Sequence, residues 1–567
     1  MVEGNSNGGP YIHQEDVREG SPMKRNSGAV WLVIAAVALG ALAGGLRGQV
    51  VRATSPAASD SEVQADLQQF THVYSVIEGE YADRLNPDRA IYGLDIPASP
   101  VGAIPGMLRP LDPHSDFFGP AAFSLIREQQ AVKYYGVGIG IYTRLDRSGK
   151  LCTFVPNVIP GTPAFAAGVR PGDIIRKVDG KSVAGLSLNQ VSNLLRGPRG
   201  TTVQVTFERE GYDAPVEFTI TRDEIKNPTV DAAFVLKSGV AYVHINNFYE
   251  TTDDELSTAL RSLEGKGLKG LVLDLRDNPG GLVDEAVAVS DHFLPKGQLI
   301  VYQYGRSARE QRYYATRGNH GDEYPMVVLV NRYTASAAEI VTGALQDHDR
   351  ALVLGEPSFG KGLVQSVYTL SEHTGLALTT AHYYTPSGRL IQRDYSKVSP
   401  YDYFYRAENA PSPRGEVRRT DGGREVFGGG GITPDVEMPV PVLNAVRQKL
   451  ADRSAIYGFA EYYLGAHKTI PRDFQVTPDV LDGFYQYLTK ENIPLTSADL
   501  QDNLDYVKEQ IREQLVSFVY GQDQELRLKA EDDPLVAKAV DSMPQAAALL
   551  THAKQFLASR KNGADEE

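Results

Sequence analysis

The central part of the chain alternates short, mostly apolar runs with segments of helical spacing. Residues 240–245, 270–275 and 326–330 are apolar runs of strand length. Residues 282–293 follow the second run with a helical pattern, and another helical pattern begins at Ala337. Strands that alternate with helices in this way predict an α/β domain.

A different pattern precedes this domain, between about residues 134 and 224. Glycine alternates with β-branched residues over 135–141, which suits a strand whose backbone is closely approached. Leu188, Val191 and Leu194 lie on one face of a predicted helix, and residues 202–207 form a further strand pattern. We therefore predict a small β-rich module.

A run of 19 uncharged residues, 28–46, lies near the start of the chain, after Lys24 and Arg25. At about 1.5 Å per residue this run spans about 30 Å, the thickness of the hydrocarbon layer of a membrane. The alternatives are a buried helix and a cleavable signal peptide with a small-residue site at 41–43. Basic residues before the run favour a cytoplasmic N-terminus, which places the bulk of the chain outside the cytoplasm.

Composition narrows the classes of function. The 567 residues exceed what one core needs, so several domains are expected. Acidic residues outnumber basic ones by 71 to 57, a net charge of −14, which argues against nucleic acid as a partner. Cys152 is the single cysteine, which excludes an intramolecular disulfide framework and a site built from several thiolates. We predict no cofactor and no metal site.

The segments that flank these domains show helical patterns. Residues 63–130 are predicted to be largely helical, with a turn over 111–116 in which His114 is interpreted as structural. Residues 439–567 carry helical spacing with charged faces, as at Val507, Ile511 and Leu515, and no clustered His or Cys. We interpret this last region as an interaction element through which a homo-oligomer could form.

Ser336 is the first candidate for chemistry, because it stands where a predicted strand meets a predicted helix. Unpaired amides and the positive end of the helix dipole can support a negative charge there, although such a serine is more often only an N-cap. Lys361 is flanked by glycines and followed by apolar residues, so we expect a poorly solvated amine with a lowered pKa. A neutral lysine near Ser336 would take its proton, and Gln365 would orient the amine.

Two other enzyme classes use similar motifs. The segment from Gly355 to Lys361 has the start of the phosphate-binding loop of an NTPase, but Gly362 replaces the Ser or Thr that binds magnesium. The strand that ends near Asp274 also precedes this segment, whereas in such NTPases it ordinarily follows. The hydrolase motif G-x-S-x-G occurs at residues 4–8, in a polar tail without a preceding strand.

The β-rich module resembles a PDZ domain at residues 158–164, 167–175 and 197–200. The resemblance implies that the module captures apolar C-terminal tails of proteins or peptides beside a glycine-rich loop. The peptide-binding residues are then Tyr135, Gly136, Val137, Gly138, Ile139, Val191 and Leu194.

Four motifs carry a second resemblance: residues 278–281 (NPGG), 334–339 (TASAAE), 360–365 (GKGLVQ) and 384–389 (YTPSGR). Together they resemble the carboxy-terminal processing proteases, serine peptidases with a Ser-Lys dyad, and the likeness covers residues 63–435. It implies Ser336 as nucleophile, Lys361 as general base and Gln365 as the residue that positions the lysine. It also implies a crotonase/ClpP-like α/β core and an oxyanion hole from backbone amides. The implied oxyanion residues are Gly280, Gly281 and Ala337.

These expectations give a multidomain α/β protein. Its predicted parts are a polar tail (1–27), a transmembrane signal-anchor (28–46), a linker (47–62), a helical region (63–130), a PDZ domain (131–225), an α/β peptidase domain (226–438) and a helical extension (439–567). We expect a serine endopeptidase in the inner membrane of a bacterium, with its catalytic part in the periplasm and an envelope adaptor as a possible partner. The alternative is a non-catalytic PDZ scaffold. Residues 393–427 are longer than the family usually has here and are predicted to form a lid or a partner surface.

Overall fold

The computed structural model of the chain describes most residues from 60 onward. The described ranges are 60–80, 91, 102–120, 122–124, 133–145, 150–226, 228–265, 268–306, 309–321, 324–370, 374–396, 398–405, 415–439 and 443–564. The predicted polar tail and the predicted membrane span at 28–46 lie outside these ranges. Among the helices of the described residues, none combines the length and the apolar character that a membrane crossing requires.

The first described elements lead into the β-rich module. They are helices α1 (Asp60–Glu80) and α2 (Ala103–Leu108) and strand β1 (Asp116–Phe118). The module itself contains strands β2 (Lys133–Gly136), β3 (Tyr142–Leu145), β4 (Leu151–Phe154), β5 (Ile174–Val178), β6 (Lys181–Ser182), β7 (Thr202–Glu208), β8 (Val216–Thr221) and β9 (Asp223–Lys226) and helices α3 (Pro163–Ala167) and α4 (Leu188–Leu195). Helix α4 begins with a capping box in which Ser187 and Gln190 each accept the other's backbone N–H. The predicted β-rich module is confirmed.

The sheet of the α/β domain has the strand order β10-β11-β12-β15-β16-β21. Its strands are β10 (Val230–Val235), β11 (Ala241–Ile245), β12 (Leu271–Asp274), β15 (Met326–Val330), β16 (Leu352–Gly355) and β21 (Val436–Glu437), and its helices are α5 (Thr252–Leu263), α6 (Val283–Asp291) and α7 (Ala337–Asp347). Five strands of this sheet run parallel to one another: β11, β12, β15, β16 and β21. Strand β10 pairs with β11 in the antiparallel sense. The predicted alternation of strands and helices is confirmed, whereas the comparison with a crotonase/ClpP-like core stays a prediction.

The two faces of this sheet are covered by different parts of the chain. Helices α5, α6 and α7 pack on one face, which includes Val243, Leu273 and Val328. Helices α15 (Pro534–Asp541) and α16 (Met543–Ala564) pack on the other face, which includes Val272 and Val327. Because a parallel sheet needs cover on both faces, the last two helices complete the core of the α/β domain. The predicted domain boundary at residue 439 therefore separates the α/β sheet from two helices that pack on it.

A second, antiparallel sheet flanks the first. Its strands are β1, β13 (Leu299–Tyr304), β14 (Gln311–Tyr314), β17 (Leu363–Thr369) and β18 (Gly375–Tyr384). Strand β18 pairs with β17 on one side and with β1 and β13 on the other. This arrangement brings the turn at 111–116, which lies far upstream in the chain, next to the segment that follows Lys361.

The remaining elements lie in residues 393–427, called the inserted segment below, and in the C-terminal region. They are α8 (Pro400–Tyr405), β19 (Val417–Arg419), β20 (Glu425–Phe427), α9 (Ala445–Asp452), α10 (Ala455–His467), α11 (Pro478–Lys490), α12 (Ser497–Gln501), α13 (Leu504–Tyr520) and α14 (Gln522–Asp532). The apolar faces of α9 to α13 form their own core, in which Val507, Ile511 and Leu515 are buried. These apolar residues thus pack inside one chain, and the homo-oligomer predicted for this region stays a prediction.

The helical bundle also contacts the β-rich module. Arg144 of β3 forms an ion pair with Glu461 of α10 at 2.8 Å. The hydroxyl of Tyr457 donates to the carbonyl of Val155 at 3.3 Å. Burial raises the pKa of Glu461 to about 7 even though Arg144 opposes that change. A charged contact between two domains therefore has a titration midpoint close to neutral pH.

Candidate active site

Ser336 lies in a sharp turn between β15 and α7. The amide of Asn331 donates to Thr334 Oγ1 at 3.0 Å, and that hydroxyl donates to the carbonyl of Leu275 at 2.8 Å, so the turn is fixed to the neighbouring strand. Ser336 has φ +54° and ψ −116°, and its side chain is 3% exposed. Positive φ is strained for a residue other than glycine, and such strain clusters at functional sites.

Glu339 connects the two segments that the sequence analysis singled out. Its Oε2 accepts the backbone N–H of Ser336 at 2.8 Å and that of Lys361 at 2.9 Å. Its Oε1 accepts the hydroxyl of Ser358 at 2.5 Å and the backbone N–H of Gly360 at 2.7 Å. Burial raises the pKa of Glu339, and these hydrogen bonds oppose that change. One buried carboxyl group thus holds the serine turn against the lysine loop.

Lys361 is fully buried, as predicted from its flanking glycines. Burial lowers its pKa to about 7, and the nearby carboxylates of Asp112 and Glu339 limit this decrease. Its Nζ donates to Gln365 Oε1 at 3.3 Å. Gln365 lies on strand β17, where a β-bulge interrupts the pairing between Val364 and Gln365. Bulges re-aim side chains, and this one accompanies the contact between the amide and the amine.

The NPGG turn approaches Ser336 closely. A Cβ atom on Gly280 would lie 2.8 Å from Ser336 Cβ and 2.8 Å from the amide nitrogen of Ala337, so no larger residue fits. The Gly280 amide donates to Asn278 Oδ1 at 2.8 Å and is thus engaged within the turn. Ala337 is the first residue of α7, whose amide lies outside the helix's own hydrogen-bond pattern. Of the predicted oxyanion donors, Gly281 and Ala337 are therefore better placed than Gly280.

Gly281 pairs with Phe248 in a short parallel bridge. The amide of Phe248 donates to the carbonyl of Gly280 at 3.0 Å, and the amide of Leu282 donates to the carbonyl of Phe248 at 2.8 Å. In this ladder the amide of Gly281 points away from Phe248. A Cβ atom on Gly281 would lie 2.0 Å from the Phe248 carbonyl oxygen, so a residue with a side chain would collide at this position.

The turn at 111–116 contributes to the site through its backbone. Gln365 Nε2 donates to the backbone carbonyl of His114. The side-chain amide of Gln365 is thus held by His114 at its nitrogen, while its oxygen faces Lys361. Asp112 holds the turn by accepting the amides of His114 and Ser115 at 2.8 and 2.7 Å. Burial keeps the pKa of His114 well below its usual value, and the charges of Lys361 and Arg393 add to this effect. His114 is a neutral, buried residue, in line with the structural interpretation.

Sequence reasoning assigned no role to Glu339 or to Tyr403. For Glu339 a signal exists, since an acidic residue three positions after an N-cap serine is typical of a capping box. For Tyr403 of helix α8 the sequence contains no such signal, because its side-chain partners lie up to 289 positions away in the chain. Its ring packs edge-on against Phe359 at 5.5 Å, and together with the neighbouring Ala335 they form a small buried cluster.

The PDZ-like module contains a cavity of about 90 Å³ between its glycine-rich segment and helix α4. The lining residues are Gly136, Val137, Gly138, Ile139, Ile141, Ser192, Leu195 and Arg196. Four of the residues predicted for peptide binding therefore line this cavity. Tyr135 is not among the lining residues and is 45% exposed, whereas Val191 is buried in the module's core and Leu194 packs against that core. The helix turns Ser192 and Leu195, and not Val191 and Leu194, toward the cavity.

The structure bears on one further expectation, the NTPase alternative. The segment from Gly355 to Lys361 leads into strand β17, whereas a phosphate-binding loop leads into a helix, so the NTPase alternative is wrong. Among the residues that the structure describes, no group of three or more His, Cys, Asp or Glu side chains is arranged to hold a metal ion.

Comparison with known proteins places both domains in known families. The profile of peptidase family S41 matches residues 239–400, and that of the PDZ domain matches residues 154–209. A carboxy-terminal-processing protease of Bartonella bacilliformis is 42% identical over 51% of this chain and 66% of its own length. The carboxy-terminal processing protease CtpA of Bacillus subtilis is 33% identical over 59% of this chain and 68% of its own length.

A solved structure of a photosystem II D1 C-terminal processing protease shares 28% sequence identity. The match covers 67% of this chain and 95% of that one, with a TM-score of 0.33. The two curated relatives are matched over about two thirds of their length. The resemblance predicted from the sequence motifs is thus confirmed: the chain belongs to the carboxy-terminal processing proteases of peptidase family S41, which are serine-type peptidases, and it carries a PDZ domain.

Proposed function

We propose that the chain is a membrane-anchored serine endopeptidase that cleaves proteins by a Ser-Lys dyad after capturing their C-terminal tails. The observation that carries the dyad is the buried carboxyl group of Glu339, which binds the amides of both Ser336 and Lys361. A lysine with a pKa of about 7 is partly neutral at physiological pH and can act as a base.

In the proposed reaction, Lys361 Nζ takes the proton of the Ser336 hydroxyl as Oγ attacks the carbonyl carbon of the scissile peptide. The carbonyl oxygen becomes an oxyanion, which accepts hydrogen bonds from the amides of Gly281 and Ala337. When this intermediate collapses, the C–N bond breaks, and the lysine ammonium protonates the leaving amine. Water, deprotonated by the again neutral lysine, then hydrolyses the serine ester and restores Ser336.

The surrounding groups support this use of the lysine. Gln365 is held by the carbonyl of His114 and presents its own carbonyl oxygen to Nζ, which limits the orientations of the amine. The strained backbone of Ser336 is fixed by Glu339, so little reorganisation is needed before attack. Gly280 allows the NPGG turn to lie against Ser336, where a side chain would collide.

We assign tail recognition to the cavity of the PDZ domain. Ile139 bridges to Val158, and the flanking hydrogen bonds run from Ile159 to Gly138 and from Gly140 to Asn157. In this pattern the amide and carbonyl of Ile139 point away from Val158, to the side where an extended peptide could add as a strand. The apolar lining supplied by Val137, Ile139 and Leu195 suits an apolar C-terminal side chain.

The uncharged run 28–46 is proposed to anchor the chain in the inner membrane of a bacterium, with the catalytic part in the periplasm. An envelope adaptor could then deliver substrates to the PDZ domain. Determining the mature N-terminus by mass spectrometry tests the anchor, because a start near Gly44 would show that the run is a cleaved signal peptide.

The central experiment compares the full chain with Ser336→Ala and Lys361→Ala in cleavage of fluorescein-labelled β-casein. Both variants are expected to lose cleavage, and labelling of Ser336 by an activated phosphonate is expected in the wild type alone. Wild-type cleavage in both variants would overturn the dyad. Binding of a tail peptide without any turnover by the wild type would instead identify a non-catalytic scaffold.

A further inference from the structure

Helix α8, which lies within the segment 393–427, contacts the candidate active site. Tyr403 on this helix is 2% exposed, and its ring packs against Phe359, two residues before Lys361. The guanidinium of Arg393 lies over both rings, 4.4 Å from the centre of Phe359 and 4.6 Å from that of Tyr403. Helix α8 is thus anchored beside the loop that carries Lys361.

The hydroxyl of Tyr403 has two buried partners. Gln392 Nε2 donates to it at 3.2 Å, and His114 Nε2 lies 3.0 Å away. Because burial keeps His114 neutral, its Nε2 can accept a hydrogen bond, and the tyrosine proton is the available donor. One hydroxyl therefore joins Gln392 to His114, and it donates to His114 in the tautomer whose Nε2 carries no hydrogen.

Both partners lead back to Lys361. The carbonyl of His114 accepts from Gln365 Nε2, and Gln365 Oε1 accepts from Lys361 Nζ at 3.3 Å. On the other side, Gln392 Oε1 accepts the backbone N–H of Gly362 at 2.9 Å. The chain of contacts leaves Lys361 through its side chain and returns to the backbone of the next residue. Tyr403 is the group that closes this ring.

We propose that Tyr403 is a positioning residue for Lys361, through which the inserted helix α8 controls the general base. This inference rests on the proposed Ser-Lys function. Without the hydroxyl, His114 and Gln392 each lose a buried partner, and the amide of Gln365 loses part of its support. The amine then spends less time in the orientation that accepts the serine proton, so the chemical step slows while substrate binding is unchanged.

The first test is Tyr403→Phe in the full chain, with fluorescein-labelled β-casein as substrate. Phenylalanine keeps the ring and removes the hydroxyl, and Tyr395→Phe is the matched control because Tyr395 belongs to the same cluster, with its ring 6.1 Å from that of Tyr403. We expect kcat to fall about tenfold in Tyr403→Phe, the size of one hydrogen bond, with KM within about twofold. The control should keep kcat within about twofold. An unchanged kcat, or a loss confined to KM, would overturn the proposal.

The second test repeats Tyr403→Phe in the Gln365→Ala background. If Tyr403 acts through Gln365, its removal should then reduce kcat by less than about twofold. A tyrosine that only supports folding would cost the same factor in both backgrounds, and equal losses would therefore refute the proposal. Ser336→Ala separates the two hypotheses: activity that survives this substitution overturns the proposed function, whereas an inactive Ser336→Ala with wild-type-like Tyr403→Phe overturns only the positioning role.

Discussion

The buried amine of Lys361 makes a quantitative prediction about stability as well as activity. Burial lowers its pKa from 10.5 to about 7. This difference corresponds to about 5 kcal/mol between the two protonation states. At pH 7 about half of such amines are neutral, against about one in 3,000 for an exposed lysine. In the proposed mechanism, burial of this amine therefore provides a base and lowers the stability of the fold.

The sign follows from proton counting. Between pH 7 and 10.5 the unfolded chain holds the proton and the folded chain does not, so the free energy of unfolding rises with pH by about 1.4 kcal/mol per pH unit. Lys361→Met keeps a side chain of similar length and removes the charge. We expect this variant to be more stable than its parent by about 4 kcal/mol at pH 7 and by about 2 kcal/mol at pH 9.

The assay is urea denaturation followed by circular dichroism, with Ser336→Ala as the parent so that self-cleavage does not interfere. Lys237→Met is the control, because the Lys237 side chain is 87% exposed and should give no pH-dependent gain. A gain from Lys361→Met that is equal at pH 7 and 9, or a loss at pH 7, would refute the reasoning. In the active wild type, kcat/KM should rise through a midpoint near pH 7, and a flat profile from pH 6 to 8 would contradict the role of the amine.

Three further predictions concern other parts of the chain. Gly280→Ala should lower kcat/KM for casein by about 100-fold because its Cβ displaces Ser336, whereas Gly297→Ala, also at positive φ but in open space, should keep activity. Ile139→Glu should weaken tail-peptide binding measured by fluorescence anisotropy by at least about tenfold, while Leu151→Glu at a 68% exposed site should not. Because burial raises the pKa of Glu461 to about 7, the stability that its proton contributes to the PDZ–bundle contact is lost as the pH rises through 7. Hydrogen exchange at 170–173, corrected for its intrinsic pH dependence, should accelerate from pH 6 to 8 in the wild type and not in Glu461→Gln.

The sequence by itself determined several local elements and predicted the main chemistry. Apolar runs located three strands of the α/β sheet, β11, β12 and β15, to within a residue at each end, because burial on both faces leaves few polar positions in a parallel strand. Glycines around Lys361 indicated a buried amine, and the strand-to-helix junction made Ser336 a candidate nucleophile, a role that the motif resemblance also implied. These signals are local, so no knowledge of distant residues was needed.

The tertiary structure decided which distant groups complete the site. The pairing of β1 with β18 brings the carbonyl of His114 to Gln365, and the inserted helix brings Tyr403 to the same histidine. The helices at the C-terminus, which carry an ordinary amphipathic pattern, cover the back of the catalytic sheet and contact the PDZ domain. An amphipathic pattern predicts that one face of a helix will be buried. It does not predict which surface will cover that face, because the hydrophobic effect is non-directional. That choice of partners, and with it the surroundings of Lys361, belongs to the folded chain alone.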